Sequence, residues 1–232
     1  MKRIIPLSMI VLIALLVLPL SQGLAAPLAS PPLEANLNFA PGSVVRFEHF
    51  TSENGLSQNA GLDIFQDSRG YLWIGTQDGL NRYDGYSFKV YKHDPDDSTS
   101  LSHNSILKIA EDQDGSLWIG TWGGGLNRYN LIDEKFTSYQ HNPNDPASIS
   151  DNTVTSIKRD WSGDVWIGTL NGLDRFDPKT STFEHFASNP DDPNSLSSNT
   201  ISSIFEDSNH QLWIGTGANG TEGSGLNRFD PS

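Results

Sequence analysis

Cysteine is absent from the 232 residues, which excludes a disulfide framework, a thiol nucleophile and a thiolate metal site. Cations are scarce: 15 Lys and Arg stand against 28 Asp and Glu, a formal charge of −13. Nucleic acids and anionic membrane surfaces reward clustered cations, so neither is expected as a partner. Nucleophile motifs and phosphate-cradling loops are missing as well. Gly123-Gly124-Gly125 follows one strand-like run and precedes another rather than a helix, so it is no dinucleotide site. The six His lack metal-ligand spacing. The turn Asp112-Gln113-Asp114-Gly115 has two acids of a calcium loop but none of the downstream carboxylates. No catalytic residue, cofactor or metal is therefore expected.

Long apolar runs are limited to one. Lys2 and Arg3 precede the stretch from Ile4 to Leu20, and small residues follow up to Ala25. A basic start, an apolar centre and a small-residue cut make a secretory signal over residues 1–25. An uncleaved membrane anchor is the alternative, against which Pro6 and Pro19 argue. Residues 26–43 are rich in Pro and Ala and read as a linker. The expected location is periplasmic or extracellular, with membrane attachment only through an uncleaved leader or a longer parent protein.

From residue 44 to 232 the sequence repeats. Trp-Ile-Gly-Thr begins at Trp73, Trp118, Trp166 and Trp213, with spacings of 45, 48 and 47. The string [LI]-S-x-N begins at Leu56, Leu101, Ile149 and Leu196 with the same spacings. An acid precedes each Trp (Asp67, Asp112, Asp160, Asp207), and Arg82, Arg128, Arg175 and Arg228 follow in a Gly-Leu-[ND]-Arg-[YF] string. Aromatic pairs three apart come next: Phe88/Tyr91, Phe136/Tyr139 and Phe183/Phe186. The second unit shows the pattern in full, with strands expected at 105–110, 116–120, 126–129 and 135–139 between turns of Asp, Asn and Gly. Four-stranded units of this length have the size of a β-propeller blade. The expected fold is all-β, four tandem blades, with the four repeated Trp packed between neighbours.

Residues 45–50 (VRFEHF) look like a fourth strand placed ahead of the first unit, and the last unit stops after its third. That strand either closes a small ring with the last blade or serves a larger propeller. The absence of a capping segment favours the front part of a larger one.

The strings LWIGT and GLNRYD, with F-x-x-Y and L-S-x-N, resemble the two-component regulator propeller repeat. The resemblance covers Val44 to the C-terminus and implies a seven-bladed periplasmic sensor region of a hybrid sensor histidine kinase, with carbohydrate as its ligand class. No kinase sequence lies in these residues, so signal output is expected elsewhere.

Repeated side chains are expected to build the scaffold, and unrepeated ones to bind. The Asp67/Arg82, Asp112/Arg128, Asp160/Arg175 and Asp207/Arg228 sets suggest ion pairs within blades, or a turn acid beside an exposed base. Loops joining strands two to three and four to one should emerge on one face. That face carries Gln77 and Asp78, Trp122, the long loops opening at His93 and His141, and the enlarged 217–224 loop with Asn219 and Glu222. Trp122 is the best candidate platform for a sugar or another planar ligand, or else folds over a neighbouring blade. Trp161 should lie on the opposite face. A ligand-sensing segment is the first reading. The alternatives are a structural module that docks a partner protein or a second copy through its broad face, and a propeller hydrolase or lyase.

Overall fold

A computed structural model describes residues 44, 46–217 and 224–230. The leader and linker lie outside them, as do Asn219 and Glu222. Contacts divide the chain into Met1–Phe47 and Glu48–Ser232, and every blade belongs to the second of these units.

Each repeat folds as an antiparallel meander. The first holds β1 (Gly61–Gln66), β2 (Leu72–Thr76), β3 (Gly79–Tyr83) and β4 (Phe88–Tyr91). The second holds β5 (Ile106–Glu111), β6 (Leu117–Thr121), β7 (Leu126–Asn130) and β8 (Lys135–Tyr139). In the third are β9 (Val154–Arg159), β10 (Val165–Thr169), β11 (Gly172–Asp177) and β12 (Thr182–Phe186). The fourth has three strands, β13 (Ile201–Glu206), β14 (Leu212–Thr216) and β15 (Gly225–Arg228). Among the described residues the only helical turn is a short 3-10 segment, Ser52–Asn54.

The sheets stack face to face as propeller blades do, with β1 against β5, β5 against β9 and β9 against β13. The series is open. Leu80, Leu126 and Leu173 are at most 1% exposed, whereas Leu226 at the same place in the fourth blade is 69% exposed.

Three apolar clusters fill the three seams between blades. Trp73, Trp118 and Trp166 are buried in them as expected; Trp213 is only half-buried, because no blade covers its face among the described residues. Each buried indole meets the outer-strand aromatic of its own blade and an aromatic in, or directly after, the third strand of the next. Trp73 lies 5.8 Å from Tyr91 and 5.5 Å from Tyr129. Trp118 meets Tyr139 and Phe176, and Trp166 meets Phe186 and Phe229.

Two expectations need correction. Residues 46–50 form no strand, for among the described residues no inner strand lies beside them to supply a ladder. Phe50 nonetheless packs 5.4 Å from Tyr83 and 6.0 Å from Phe88. The repeated acids, in turn, mostly serve the indoles rather than the arginines. Trp73 Nε1 donates to Asp67 at 2.8 Å, Trp166 to Asp160 at 2.8 Å and Trp213 to Asp207 at 2.9 Å. Among the described residues only Asp112 pairs with its arginine, Arg128, at 3.0 Å. The guanidinium groups of Arg82, Arg128 and Arg175 lie over the Trp rings of their own blades, 5.2 to 6.0 Å from the centroids.

Candidate ligand-binding face

In the first two blades the turn between second and third strands is tied to the entrance of the next: Gly79 N donates to Asn104 O at 2.8 Å and Gly125 N to Asn152 O at 2.7 Å. In the fourth the turn is tied to the entrance of its own blade, Gly217 N donating to Thr200 O at 2.6 Å. These turns and the long loops that lead into β5, β9 and β13 therefore share one end of the blades.

The L-S-x-N string builds that end. Its Asn side chain accepts the backbone N–H that opens each long loop: His93 to Asn104, His141 to Asn152 and Ser188 to Asn199, at 2.6–2.7 Å. Its Ser N–H donates to the third-strand Asn or Asp of the same blade, Ser57 to Asn81, Ser102 to Asn127, Ser150 to Asp174 and Ser197 to Asn227. The loops are thus fastened at both ends, which makes them a rigid rim.

On that rim the candidate side chains divide by role. Trp122 is 56% exposed, yet its backbone is fixed from both sides: its N–H donates to Ser105 O at 3.0 Å, and it bridges to Thr153 of the next blade. The turn continues through Gly123 at φ 92°, which suits glycine alone. Asp78 pairs with Lys92 at 2.7 Å, and Gln77 meets the side chain of Gln58. His93 and His141 each turn Nδ1 to a carbonyl inside their own loop, Leu101 O at 2.6 Å and Ile149 O at 2.8 Å. These two imidazoles act as loop braces. Trp161, in the turn opposite, is 66% exposed and packs at a tilt against His210, with ring centroids 4.9 Å apart.

A hollow of about 280 Å³ opens beside the third blade, lined by His141, Asn142, Asp145, Ser148, Asn171 and His185. Beneath it lies a feature that sequence reasoning missed. Asp174 is fully buried where the other blades have Asn81, Asn127 and Asn227, and its only cue was the Asp in the third Gly-Leu-[ND]-Arg string. Burial pushes its carboxyl above the usual range, against hydrogen bonds from Ser150 and His185. His185 Nδ1 lies 2.6 Å from Asp174 Oδ1, and its Nε2 lies 2.8 Å from Pro146 O. A carbonyl only accepts, so Nε2 carries a proton, and the Asp174–His185 contact holds one more. Ser150 Oγ bonds to Asp174 and Thr169 but not to the imidazole, so no relay activates it as a nucleophile.

A family model described as the two component regulator propeller matches residues 54–78, 100–123 and 195–218. Three of the four blades thus contain a stretch that matches the two-component regulator propeller repeat. Each matched stretch runs from the L-S-x-N string to the turn after Trp-Ile-Gly-Thr, which are the residues that build the rim and the seams. Histidine kinase P4 of Formosa agariphila is 56% identical over 54 residues, 23% of this chain and 4% of that protein. Two extracellular domains from B. thetaiotaomicron also resemble it. One, of a protein described as a one component system, has TM-score 0.63 and 26% identity, covering 78% of this chain and 22% of that one. The other, of a hybrid two component system, has TM-score 0.60 and 28% identity, covering 79% and 30%. The chain thus spans a small part of each of these proteins.

Proposed function

We propose that this chain is an extracytoplasmic ligand-sensing propeller segment of a two-component signal-transduction protein, exported by residues 1–25, joined through the 26–43 linker and forming the first four blades of a larger ring. The resemblance to extracellular domains of signalling proteins supports the location, and the small share of each relative that is spanned supports a longer parent carrying the output.

One observation carries the binding reading: Trp122 is exposed while its backbone is clamped between two blades. An exposed indole is a hydrophobic surface that normally hides, and a fixed turn removes the ordering cost that weakens binding by mobile loops. A flat, polar-rimmed aromatic suits the apolar face of a sugar ring. Gln77 and Asp78 offer hydrogen-bonding groups on the same rim, and His141 and Asn171 line the hollow next to it. Asn219 and Glu222 belong to this proposal by sequence position.

Titrating the chain with a panel of neutral and acidic oligosaccharides, read by calorimetry and thermal shift, tests the reading. A glycan that binds wild type and not Trp122→Ala, with folding intact, supports it. Equal binding by both proteins, or stabilisation by a partner protein alone, removes Trp122 as the platform.

A further inference from the structure

The three internal seams share one steric device. A carbon added at Gly75 would sit 2.8 Å from Ile106 Cγ2, one at Gly120 2.6 Å from Val154 Cγ1, and one at Gly168 2.5 Å from Ile201 Cγ2. Each glycine of Trp-Ile-Gly-Thr is therefore a socket, and the next blade fills it with a β-branched knob. Ile106, Val154 and Ile201 are all 0% exposed, and each pairs with the Thr that closes the same string in its own blade.

The two outward faces do not repeat this match. Gly215 is the fourth socket, and only Ser203 and Ser202 of its own sheet lie close to it. Around it Phe205 and Leu226 are 64% and 69% exposed, and Trp213 is half-buried. In the first blade the knob position, paired with Thr76, is Gly61. A carbon added at Gly61 would meet only Ile74 Cγ2 at 3.8 Å, so no steric need within the blade requires glycine there. If the first blade, its own or that of a second copy, covered the fourth, Gly61 would face Gly215. A hole about the size of an isoleucine side chain would remain in a seam that is elsewhere close-packed.

A groove of about 850 Å³ along the fourth blade points the same way. Leu173, Phe186, Leu196, Ile214 and Phe229 line it. In the preceding blade, the outer strand β12 places Phe183 at 5.8 Å from Tyr139 and 5.3 Å from Phe176. Phe186 and Phe229 form the equivalent ring pair, 5.7 Å apart, and a strand bearing an aromatic side chain would fill the place beside them.

We propose that the exposed face of the fourth blade is a docking surface for a further four-stranded blade, one whose innermost strand begins with isoleucine or valine and which is reached through an aromatic-bearing outer strand. This chain's own first blade, with Gly61, is not that partner. The inference deepens the larger-ring part of the function proposed above and is independent of ligand sensing.

The test extends the full chain, after its last residue, with a second copy of residues 180–232, which supplies an outer strand and a blade led by Ile201. A parallel extension carries Ile201→Gly in the appended copy only. The extension with Ile should melt roughly 5–10 °C above the one with Gly, the usual scale for emptying a core position in a domain of this size. Gly215→Val in the host should abolish that difference, while changing the melting of the unextended chain little. Sedimentation of the unextended chain should show a monomer. Equal melting of the two extensions would overturn the proposal, as would a dimer of the unextended chain that Gly215→Val disperses.

Discussion

In the third blade the indole of Trp166 donates to Asp160; in the second, Trp118 occupies the same place with its N–H unpartnered. The difference lies in the arginines. Arg128 draws Asp112 to 3.0 Å and Asp114 to 2.8 Å, while Arg159 Nε stands 3.9 Å from Asp112, too far for a hydrogen bond. In the third blade Arg175 finds Asp164 and Glu184 instead, which leaves Asp160 free for the indole. Burial works against the Asp160 charge, but hydrogen bonds from Ser162 and Trp166 outweigh it and hold its pKa below the usual value. A half-exposed ion pair adds little stability, whereas a buried unpaired donor costs about 1–3 kcal/mol. One meander thus tolerates two polar arrangements because the apolar packing around each indole is the larger quantity.

Truncation to alanine probes that larger quantity. Trp118→Ala and Trp166→Ala should each cost about 3–5 kcal/mol in urea unfolding; a loss under about 1 kcal/mol at either site would break the claim that the seams dominate. Removing only the indole N–H separates the blades. Trp166→Phe leaves Asp160 Oδ2 without its indole donor and should cost about 1–3 kcal/mol more than Trp118→Phe, which deletes a donor without a partner. Equal costs would mean that Asp112 reaches Trp118 in solution.

A third contrast sets Asp174 against Asn127. With its folded pKa raised, Asp174 binds more protons in the native state than in the unfolded one, so its contribution to stability falls as pH rises above the ordinary value of 3.8. Asp174→Asn restores the arrangement of the other blades and should stabilise by about 1 kcal/mol at neutral pH, the advantage vanishing below pH 3.8. Unfolding curves at several pH values check the slope, and a gain that does not depend on pH would refute it. The smallest effect belongs to the turns. Trp122→Ala should change stability by less than about 0.5 kcal/mol, as measured by thermal melting, and a larger loss would make Trp122 a packing residue.

Sequence periodicity sufficed for the blades. The second unit's strands fall within one residue of the expected bounds, because Asp, Asn and Gly mark its reversals. Side-chain partners were less legible. Asp67 and Trp73 are six residues apart across a hairpin, and nothing in their spacing separates an indole partner from an arginine partner until the turn geometry is known. The His93 and His141 braces were hidden for a related reason, since their partners are backbone carbonyls, which carry no sequence signal. The expected strand over residues 45–50 had the right side chains but lacked a neighbour, and a β-ladder is a property of two strands. For the candidate face, the position of the loops was readable from meander connectivity, while Asp174 showed only as one departure from a repeated asparagine.

The aromatic seams also bear on how the molecule breathes. Because each indole is shared between neighbours only, cooperativity passes along the series from blade to blade, and the unfolding energy approximates a sum of blade and interface contributions. Among the described residues the second and third blades are clamped on both sides, the first and fourth on one. Amide hydrogen exchange should therefore run fast in the outermost strands and faces of the first and fourth blades and slowest in β6 and β10, so that local opening starts at the two ends of the series and the centre reports the global transition.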